Sequence, residues 1–171
     1  EKILTGYCTG GGNTSVKLKQ KNLLGEEQSV LLVKGSGQDM AHIGPHGFVP
    51  LQLDPLAKLS VLDSLSDFEM ENQLLTSKLK ADSLDPSVEA LLHAFLPHRF
   101  IDHTHADAIL TLTNQSKGLD LVKEVLGKKV GVMAYVTSGF TLAKAVFQMF
   151  QKSPDLEAIV VAYHGIFTFG D

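Results

Sequence analysis

Residues 131–163, GVMAYVTSGFTLAKAVFQMFQKSPDLEAIVVAY, contain the pattern that decides the fold class. The pattern predicts a strand over 131–136, a helix over 140–152 and a further strand over 157–163. Residues 158–163 are strongly apolar, as expected for a strand that is buried inside a protein. A helix between two strands indicates an α/β or an α+β protein in which helices are layered over a sheet.

The rest of the chain shows the same interleaving of strands and helices. Residues 16–19 alternate apolar and polar side chains, and residues 29–34 form a short apolar run rich in β-branched residues, so a hairpin is predicted there. Pro55 and Pro86 each follow an aspartate, a sequence that favours the start of a helix. Neither repeats nor low-complexity linkers interrupt the chain, so we predict one domain over residues 1–171. The other predicted elements are a strand at 48–53, helices at 66–84, 85–96 and 119–126, and a strand at 100–112 with a turn near Ala106.

The composition excludes several classes of protein. With 44% hydrophobic and 20% charged residues, the chain has the balance of a globular protein and not of a disordered one. A net charge of −4 argues against nucleic-acid binding, and the single cysteine, Cys8, cannot form an internal disulfide. No apolar run approaches the roughly 20 residues of a membrane span, so we expect a cytoplasmic protein. Because the chain begins at Glu1 without a methionine and ends directly after a strand and a loop, we expect an excised part of a longer chain.

Three histidines form a candidate metal site. His103 and His105 are two residues apart on a predicted strand, so their side chains project from one face about 6.6 Å apart along the chain and can converge on one ion. His164 follows the last predicted strand, at a strand end where sites are commonly assembled in layered α/β folds. Three histidines with an open fourth position are typical of catalytic zinc. The alternatives are polar residues at a strand end and a histidine that caps a strand through hydrogen bonds.

Glu89 is a candidate carboxylate for this site. It lies in the first turn of the helix predicted to begin at Asp85, where the helix dipole alone would also favour an acidic residue. Glu89 and His93 are four residues apart and could instead bind a metal by themselves. Since His93 lies on an apolar stripe of the helix, we interpret it as a core histidine.

Two glycine-rich loops are candidates for anion binding. Residues 10–15 and 34–37 combine flexible backbone with hydroxyl or amide side chains, and such loops can offer several N–H donors to a phosphate. Neither matches a Walker loop or a dinucleotide-binding fingerprint. Tight turns without a ligand are the alternative.

Five short motifs, taken in order, resemble one known family. They are Gly12-Asn13-x-Ser15-x-Lys17, Lys34-Gly35-Ser36-Gly37, Pro86-Ser87-x-Glu89, His103-x-His105 and Tyr163-His164-Gly165. Their order and their spread over the whole chain resemble the class II aldolase/adducin family. Residues 86–105 look most like the aldolase part of the bifunctional rhamnulose-1-phosphate aldolase/alcohol dehydrogenases, whose second half is a short-chain dehydrogenase.

The resemblance implies a three-layer α/β/α domain with a mixed, largely antiparallel central sheet, usually assembled into homotetramers. It also implies one zinc ion per chain held by three histidines, a glutamate that acts as acid and base, and a phosphorylated sugar substrate. Val88 departs from the pattern, because fuculose-phosphate aldolases carry a second serine there. By this resemblance the zinc ligands are His103, His105 and His164, the acid and base is Glu89, and the phosphate contacts are Gly12, Asn13, Ser36, Gly37 and Ser87.

The activity that the resemblance implies is reversible cleavage of a ketose 1-phosphate, of the rhamnulose-1-phosphate type, to dihydroxyacetone phosphate and lactaldehyde. Zinc would stabilise the enediolate charge as a Lewis acid and Glu89 would move the proton at carbon, so no Schiff-base lysine is needed. A pentulose-phosphate 4-epimerase, and a decarboxylase or dehydratase of the same superfamily, remain alternatives. A non-catalytic adducin-like binding module is a further one, although such a module has no use for three histidines and Glu89.

Overall fold

A computed structural model of the protein describes residues 11–171, so Cys8 and the start of the first glycine-rich loop lie outside the described part. Within that part no helix is long and apolar enough to cross a membrane. Two short 3-10 helices cover Pro45–Gly47 and Leu59–Val61. The strands are β1 (Asn13–Lys21), β2 (Glu27–Lys34), β3 (Phe48–Gln52), β4 (Phe100–Thr104), β5 (Val130–Met133), β6 (Ala158–Val161) and β7 (Gly165–Gly170). The helices are α1 (Leu53–Lys58), α2 (Asp67–Thr76), α3 (Ala90–Phe95), α4 (Asp107–Thr113), α5 (Gly118–Leu126) and α6 (Phe140–Lys152).

The seven strands form one sheet in the order β3-β2-β1-β4-β7-β6-β5. Every neighbouring pair is antiparallel except β5 and β6, which run parallel. A parallel pair needs a long crossover connection, and α6 supplies it between these two strands. The predicted mixed, largely antiparallel sheet is therefore confirmed.

Helices cover both faces of the sheet. Side chains alternate between the faces along a strand, and in β6 Ile159 and Val161 join the larger core cluster while Val160 joins a smaller one. The larger cluster contains residues of α1, α2, α3 and α6, and the smaller one contains Ile109 of α4 and Val122 of α5. This arrangement is the predicted three-layer α/β/α architecture.

One edge of the sheet collects the chain segments that carry the candidate site. Asn13, at the start of β1, pairs with His103 near the end of β4. Beyond β4, its neighbour β7 begins at Gly165, which pairs with Val161 at the end of β6. The strand register thus brings the first glycine-rich loop, the His103 strand and the β6–β7 turn to the same edge.

Several predicted element boundaries are wrong. The helix predicted over 85–96 begins only at Ala90, because residues 85–87 pair in extended form with the end of β2: Gly35 bridges Pro86, and the Ser36 N–H donates to the Asp85 carbonyl at 2.8 Å. The strand predicted over 100–112 ends at Thr104 and continues as α4, whose Ile109 packs in the smaller core cluster.

Two further boundaries also differ from the prediction. The helix predicted over 66–84 ends at Thr76, after which Lys78 bridges to Leu51 of β3. Strand β7 was missed altogether, although the predicted strand before it and the α6 helix are confirmed. A three-residue turn, Ala162-Tyr163-His164, separates β6 from β7, and it contains none of the Gly, Pro, Asn, Asp or Ser residues that usually mark a turn in a sequence.

Candidate metal centre and active site

The three predicted histidines converge at the sheet edge. His103 lies in β4, His105 follows that strand, and His164 lies in the turn between β6 and β7. Each offers a ring nitrogen that lies within 4.8 Å of the corresponding nitrogens of the other two. The ring centroids are 4.8 Å apart for His103–His105, 4.8 Å for His103–His164 and 5.2 Å for His105–His164. Three nitrogens this close together can share one metal ion after small side-chain adjustments.

The hydrogen bonding of His103 suits a metal ligand. Its Nδ1 lies 3.0 Å from the carbonyl oxygen of Ile166, so Nδ1 carries the proton and donates it. The opposite nitrogen, Nε2, therefore has a free lone pair, is fully buried and has no hydrogen-bond partner among residues 11–171. Burial lowers the pKa of His103 to about 4, which keeps the ring neutral at pH 7. A carbonyl that fixes the tautomer of a histidine is the usual support for a metal ligand, so the residues present fit a metal ion.

Glycines allow the backbone to approach the histidines closely. Gly12 has φ of +81°, and a Cβ on it would lie 2.4 Å from the His103 carbonyl oxygen. A Cβ on Gly165 would lie 2.4 Å from the Thr104 carbonyl oxygen and 3.1 Å from His103 Cε1. Glycine at both positions is therefore required by the packing around the histidines.

Glu89 faces the histidine cluster, as the sequence analysis proposed for a catalytic carboxylate. It lies immediately before α3, not in the first turn of a helix, because α3 begins at Ala90. Its Oε1 is 3.2 Å from His164 Nε2 and accepts a 3.4 Å hydrogen bond from Ser138 Oγ. Its Oε2 is 3.5 Å from His103 Nε2 and accepts a 2.7 Å hydrogen bond from Asn13 Nδ2.

Several polar neighbours keep Glu89 ionised. Burial alone would raise the pKa of this carboxyl, but the hydrogen bond with His164, the proximity of His103 and the amide of Asn13 outweigh it. Together they hold the pKa of Glu89 well below its usual range. The carboxylate is therefore available as a proton acceptor next to the histidines.

The predicted phosphate contacts are only partly free to bind an anion. Ser87 lies three residues before α3, so no helix N-terminus at Ser87 adds its dipole or free N–H groups to an anion site. The Ser87 N–H donates to the Lys34 carbonyl at 3.2 Å, and the Ser36 N–H is likewise used. Ser87 Oγ accepts hydrogen bonds from Asn13 and from the Glu89 N–H, so its hydroxyl proton is left to donate. Gly37 has φ of +72° and open space beside it.

Lys34 is a candidate site residue to which the sequence analysis gave no role of its own, although it opens the second glycine-rich loop. Its side chain is buried, and Nζ donates a hydrogen bond to the Gly35 carbonyl at 3.4 Å. Among residues 11–171 no carboxylate lies within ion-pair distance of it. Burial lowers the pKa of Lys34, although Asp39 and Glu89 oppose this shift. A lysine that ends an apolar strand directly before a glycine-rich loop was the available signal.

A cavity of about 400 Å³ lies next to the segment that carries Glu89 and is lined in part by Pro86, Val88 and Ser138. It lies between α2, residues 85–88 and the segment before α6, and Ser138 links its wall to the Glu89 carboxylate. Ser36 also lines it, together with three acidic residues: Asp67, Glu71 and Asp85. The cavity is large enough for a small polar substrate, and its link to the histidine cluster is Ser138, which contacts Glu89.

A three-layer α/β/α domain that converges three histidines and a buried carboxylate on one sheet edge defines the class to which the protein belongs. The chain belongs to the family described as the class II aldolase and adducin N-terminal domain, which matches residues 5–171. A curated relative is the uncharacterized oxidoreductase YuxG of Bacillus subtilis (strain 168), which is 38% identical over 162 residues. The match covers 95% of this chain and 24% of the relative, so the chain spans about a quarter of that protein's length.

Solved structures show the same fold. The N-terminal class II aldolase domain of a conserved protein from Thermoplasma acidophilum is 42% identical, with a TM-score of 0.87, and the match covers 95% of this chain and 75% of that one. The l-fuculose-1-phosphate aldolase of Thermus thermophilus is 19% identical, with a TM-score of 0.58, over 97% of this chain and 71% of that one. The second likeness supports the fold alone.

Proposed function

We propose that the protein is a zinc-dependent class II aldolase that reversibly cleaves a ketose 1-phosphate, of the rhamnulose-1-phosphate type, to dihydroxyacetone phosphate and lactaldehyde. The observation that carries the proposal is the convergence of His103, His105 and His164 beside the ionised carboxylate of Glu89. The buried, unpartnered Nε2 of His103 supports a metal ion there, because a buried polar atom without a partner is costly. The proposal places one zinc ion per chain on these three histidines.

Glu89 is the residue to which we assign proton transfer. A metal ion at the three histidines supplies Lewis-acid stabilisation for negative charge that develops on substrate oxygens. In the cleavage direction the C3–C4 bond breaks, its electron pair stays with the dihydroxyacetone phosphate portion, and the C4 hydroxyl loses its proton as the aldehyde forms. In this proposal the ionised Glu89 takes up the proton that the C4 hydroxyl loses and delivers it to C3, and in the condensation direction it removes the C3 proton and returns it to the C4 oxygen. Glu89 Oε2 lies 2.7 Å from Asn13 Nδ2 and Oε1 lies 3.2 Å from His164 Nε2, and these contacts hold the carboxylate beside the histidine cluster.

Lys34 supports an anionic substrate. A buried ammonium without a carboxylate partner is unfavourable unless an anion completes its environment. Lys34 precedes the Gly35-Ser36-Gly37 loop and lies on β2 beside residues 85–87, which carry Ser87. We therefore propose that the phosphate binds near Lys34, Ser36, Gly37 and Ser87, and that sugar hydroxyls donate to the carboxylates along the cavity.

The longer relative supports a second proposal about the complete protein. YuxG is named an oxidoreductase, and this chain matches only 24% of it. This is consistent with a larger chain in which an aldolase part is joined to a short-chain dehydrogenase. A homotetramer is proposed by family resemblance.

A condensation assay tests the proposed function. The complete protein, loaded with zinc, is incubated with dihydroxyacetone phosphate and lactaldehyde, and the ketose 1-phosphate product is identified by mass spectrometry and NMR. We expect product with the unaltered protein and almost none with Glu89→Gln. Absence of product from zinc-loaded protein would overturn the aldolase assignment, and 4-epimerisation of a pentulose 5-phosphate in a parallel sample would replace it with the epimerase.

A further inference from the structure

The side chain of Asn13 is fully engaged inside the protein. It is buried, and its Nδ2 donates to Glu89 Oε2 at 2.7 Å and to Ser87 Oγ at 3.2 Å. Its Oδ1 is hydrogen-bonded to His93 Nε2. An asparagine amide has two N–H donors and one carbonyl, and all of them are used here. The Asn13 side chain is therefore not free to contact a phosphate, the role that the family resemblance implies for it.

His93 continues the contact away from the site. It is fully buried, and its second nitrogen, Nδ1, lies 2.7 Å from the hydroxyl oxygen of Ser15, which is also buried. Ser15 lies two residues after Asn13 on β1, whereas His93 lies in α3 and is four residues from Glu89. The contacts thus run from Ser15 through His93 and Asn13 to one oxygen of the Glu89 carboxylate.

The chemistry of the groups fixes the direction of every hydrogen bond. A carboxylate only accepts, so the Asn13 amide must present Nδ2 to Glu89 and its carbonyl oxygen to His93. His93 therefore carries its proton on Nε2. Burial lowers the pKa of His93 to about 3, so the ring is neutral, Nδ1 accepts and Ser15 Oγ donates. The opposite orientation of the amide would place two oxygens against each other beside Glu89.

We propose that Ser15, His93 and Asn13 form a positioning chain that holds Oε2 of Glu89 and leaves Oε1 directed at His164 and Ser138. The consequence for turnover rests on the proposed function, but the hydrogen bonds of the positioning chain do not. His93 is a positioning residue, because it acts on Glu89 only through Asn13. The positioning chain is uncharged, so it orients the carboxylate without adding a competing charge.

The tautomer of His93 tests the positioning chain directly. In protein labelled with 15N, long-range 1H–15N spectra distinguish the protonated from the unprotonated imidazole nitrogen, and a His93→Gln spectrum assigns the signals. We expect His93 to be neutral with the proton on Nε2. In Asn13→Leu the signal of this Nε2 proton should change its chemical shift, because its hydrogen-bond acceptor is removed. A proton on Nδ1, or a doubly protonated ring at pH 7, would overturn the proposal. This measurement needs no catalytic activity.

Kinetics of the zinc-loaded complete protein test the consequence. His93→Leu removes the donor to Asn13, and we expect kcat to fall by about 10²-fold, the cost of misplacing a catalytic group, with KM and zinc content little changed. His93→Gln retains an N–H donor and should recover a large part of kcat. His98→Leu is the matched control, since His98 packs against Phe150 and Phe169 away from Glu89. Equal losses in all three variants would show a purely structural role.

The two tests separate the possible failures. If the tautomer is as proposed but no aldol product forms with the unaltered protein, the proposed function fails and the positioning chain stands. If the product forms and the tautomer is reversed, the positioning chain fails and the proposed function stands. Should His93→Leu fail to fold, the tautomer measurement on the unaltered protein still decides the proposal.

Discussion

Glu89 is the residue on which the proposed chemistry depends most. Its Oε2 accepts a hydrogen bond from Asn13, and its Oε1 lies beside His164. Because glutamine has nearly the same shape as glutamate, Glu89→Gln removes the negative charge between these neighbours with little change in packing. The carboxylate stays ionised because the hydrogen bond with His164, the proximity of His103 and the amide of Asn13 outweigh burial.

Replacement of Glu89 by glutamine tests its assigned role. Glu89→Gln keeps the shape but cannot accept a proton, so we expect turnover to fall by about 10²–10⁴-fold while zinc and substrate still bind. Zinc analysis, substrate binding and steady-state kinetics measure the three effects. Glu124→Gln, on the exposed face of α5, is the matched control and should behave like the unaltered protein. Unchanged turnover in Glu89→Gln would leave Glu89 without a catalytic role.

At the scale of residues, the sequence predicted the three candidate ligand histidines but not the polar side chains that pack around them. His103 and His105 were accessible because alternate residues of a strand share a face, and the structure confirms that these two converge with His164. The roles of Lys34 and of the Asn13 amide were not accessible. Burial of Lys34 and the orientation of Asn13 depend on partners more than 50 residues away, such as Ser87 and Glu89, and no local pattern records them.

At the scale of elements, the β6–β7 hairpin positions two of the candidate metal ligands, His105 and His164. Gly165 begins β7, and a Cβ there would lie 2.4 Å from the Thr104 carbonyl oxygen and 3.2 Å from His105 Cδ2. The turn before it carries His164. A small change at one end of β7 therefore shifts the metal ligands while the rest of the strand is left in place.

We expect Gly165→Ala to weaken zinc affinity by about 10–100-fold, the usual cost of disturbing the groups that orient metal ligands. Gly170→Ala is the matched control in the same strand, because an added Cβ there meets nothing within 4 Å. Competition with a fluorescent zinc chelator gives both affinities. Equal zinc affinity in Gly165→Ala and in the unaltered protein would contradict the packing argument.

Residues 85–89 form a second element whose local sequence was misread. Asp85-Pro86 resembles a helix start, but the pairing of this segment with the end of β2 overrides the local preference. Extended backbone here directs Ser87 towards Asn13 and leaves Val88 exposed on the cavity wall. Only long-range pairing determines this conformation, which explains why the sequence placed Ser87 and Glu89 on the wrong element.

Restoring a hydroxyl at Val88 tests the phosphate proposal. One hydrogen bond to a charged group contributes about 1.5–3 kcal/mol, so Val88→Ser should tighten binding of a ketose 1-phosphate by up to about a hundredfold. The same change should do little for the unphosphorylated sugar, and calorimetry measures both. Val125→Ser, at an exposed position of α5, controls for the loss of a surface valine. An equal response of both sugars would show that no phosphate binds near Val88.

At the scale of the whole molecule, the sheet order explains why the site exists. Strands β1, β4 and β7 are neighbours, although they begin at residues 13, 100 and 165 of the chain. A metal ion held by His103, His105 and His164 would tie the end of β4 to the β6–β7 turn. The alternation of strands and helices predicted the layers, whereas the strand order depends on pairings between distant segments and was not predicted.

Zinc should therefore stabilise the folded chain. A ligand present at about 100 times its Kd and absent from the unfolded state adds about 2.7 kcal/mol. For a chain of this length each kcal/mol raises Tm by about 2–4 °C, so we expect an increase of about 5–10 °C in a thermal melt. The variant that lacks His103 and His105 should show no such increase. A similar rise in that variant would indicate that zinc binds elsewhere.

The most direct test of the account is the zinc content of the complete protein after dialysis against limited zinc. Metal analysis should find one zinc ion per chain in the unaltered protein and almost none in the His103→Ala, His105→Ala double variant. The His42→Ala, His46→Ala double variant, which removes two exposed histidines, should retain its zinc. One zinc ion per chain in the His103→Ala, His105→Ala variant would contradict the metal centre, and with it the proposed mechanism.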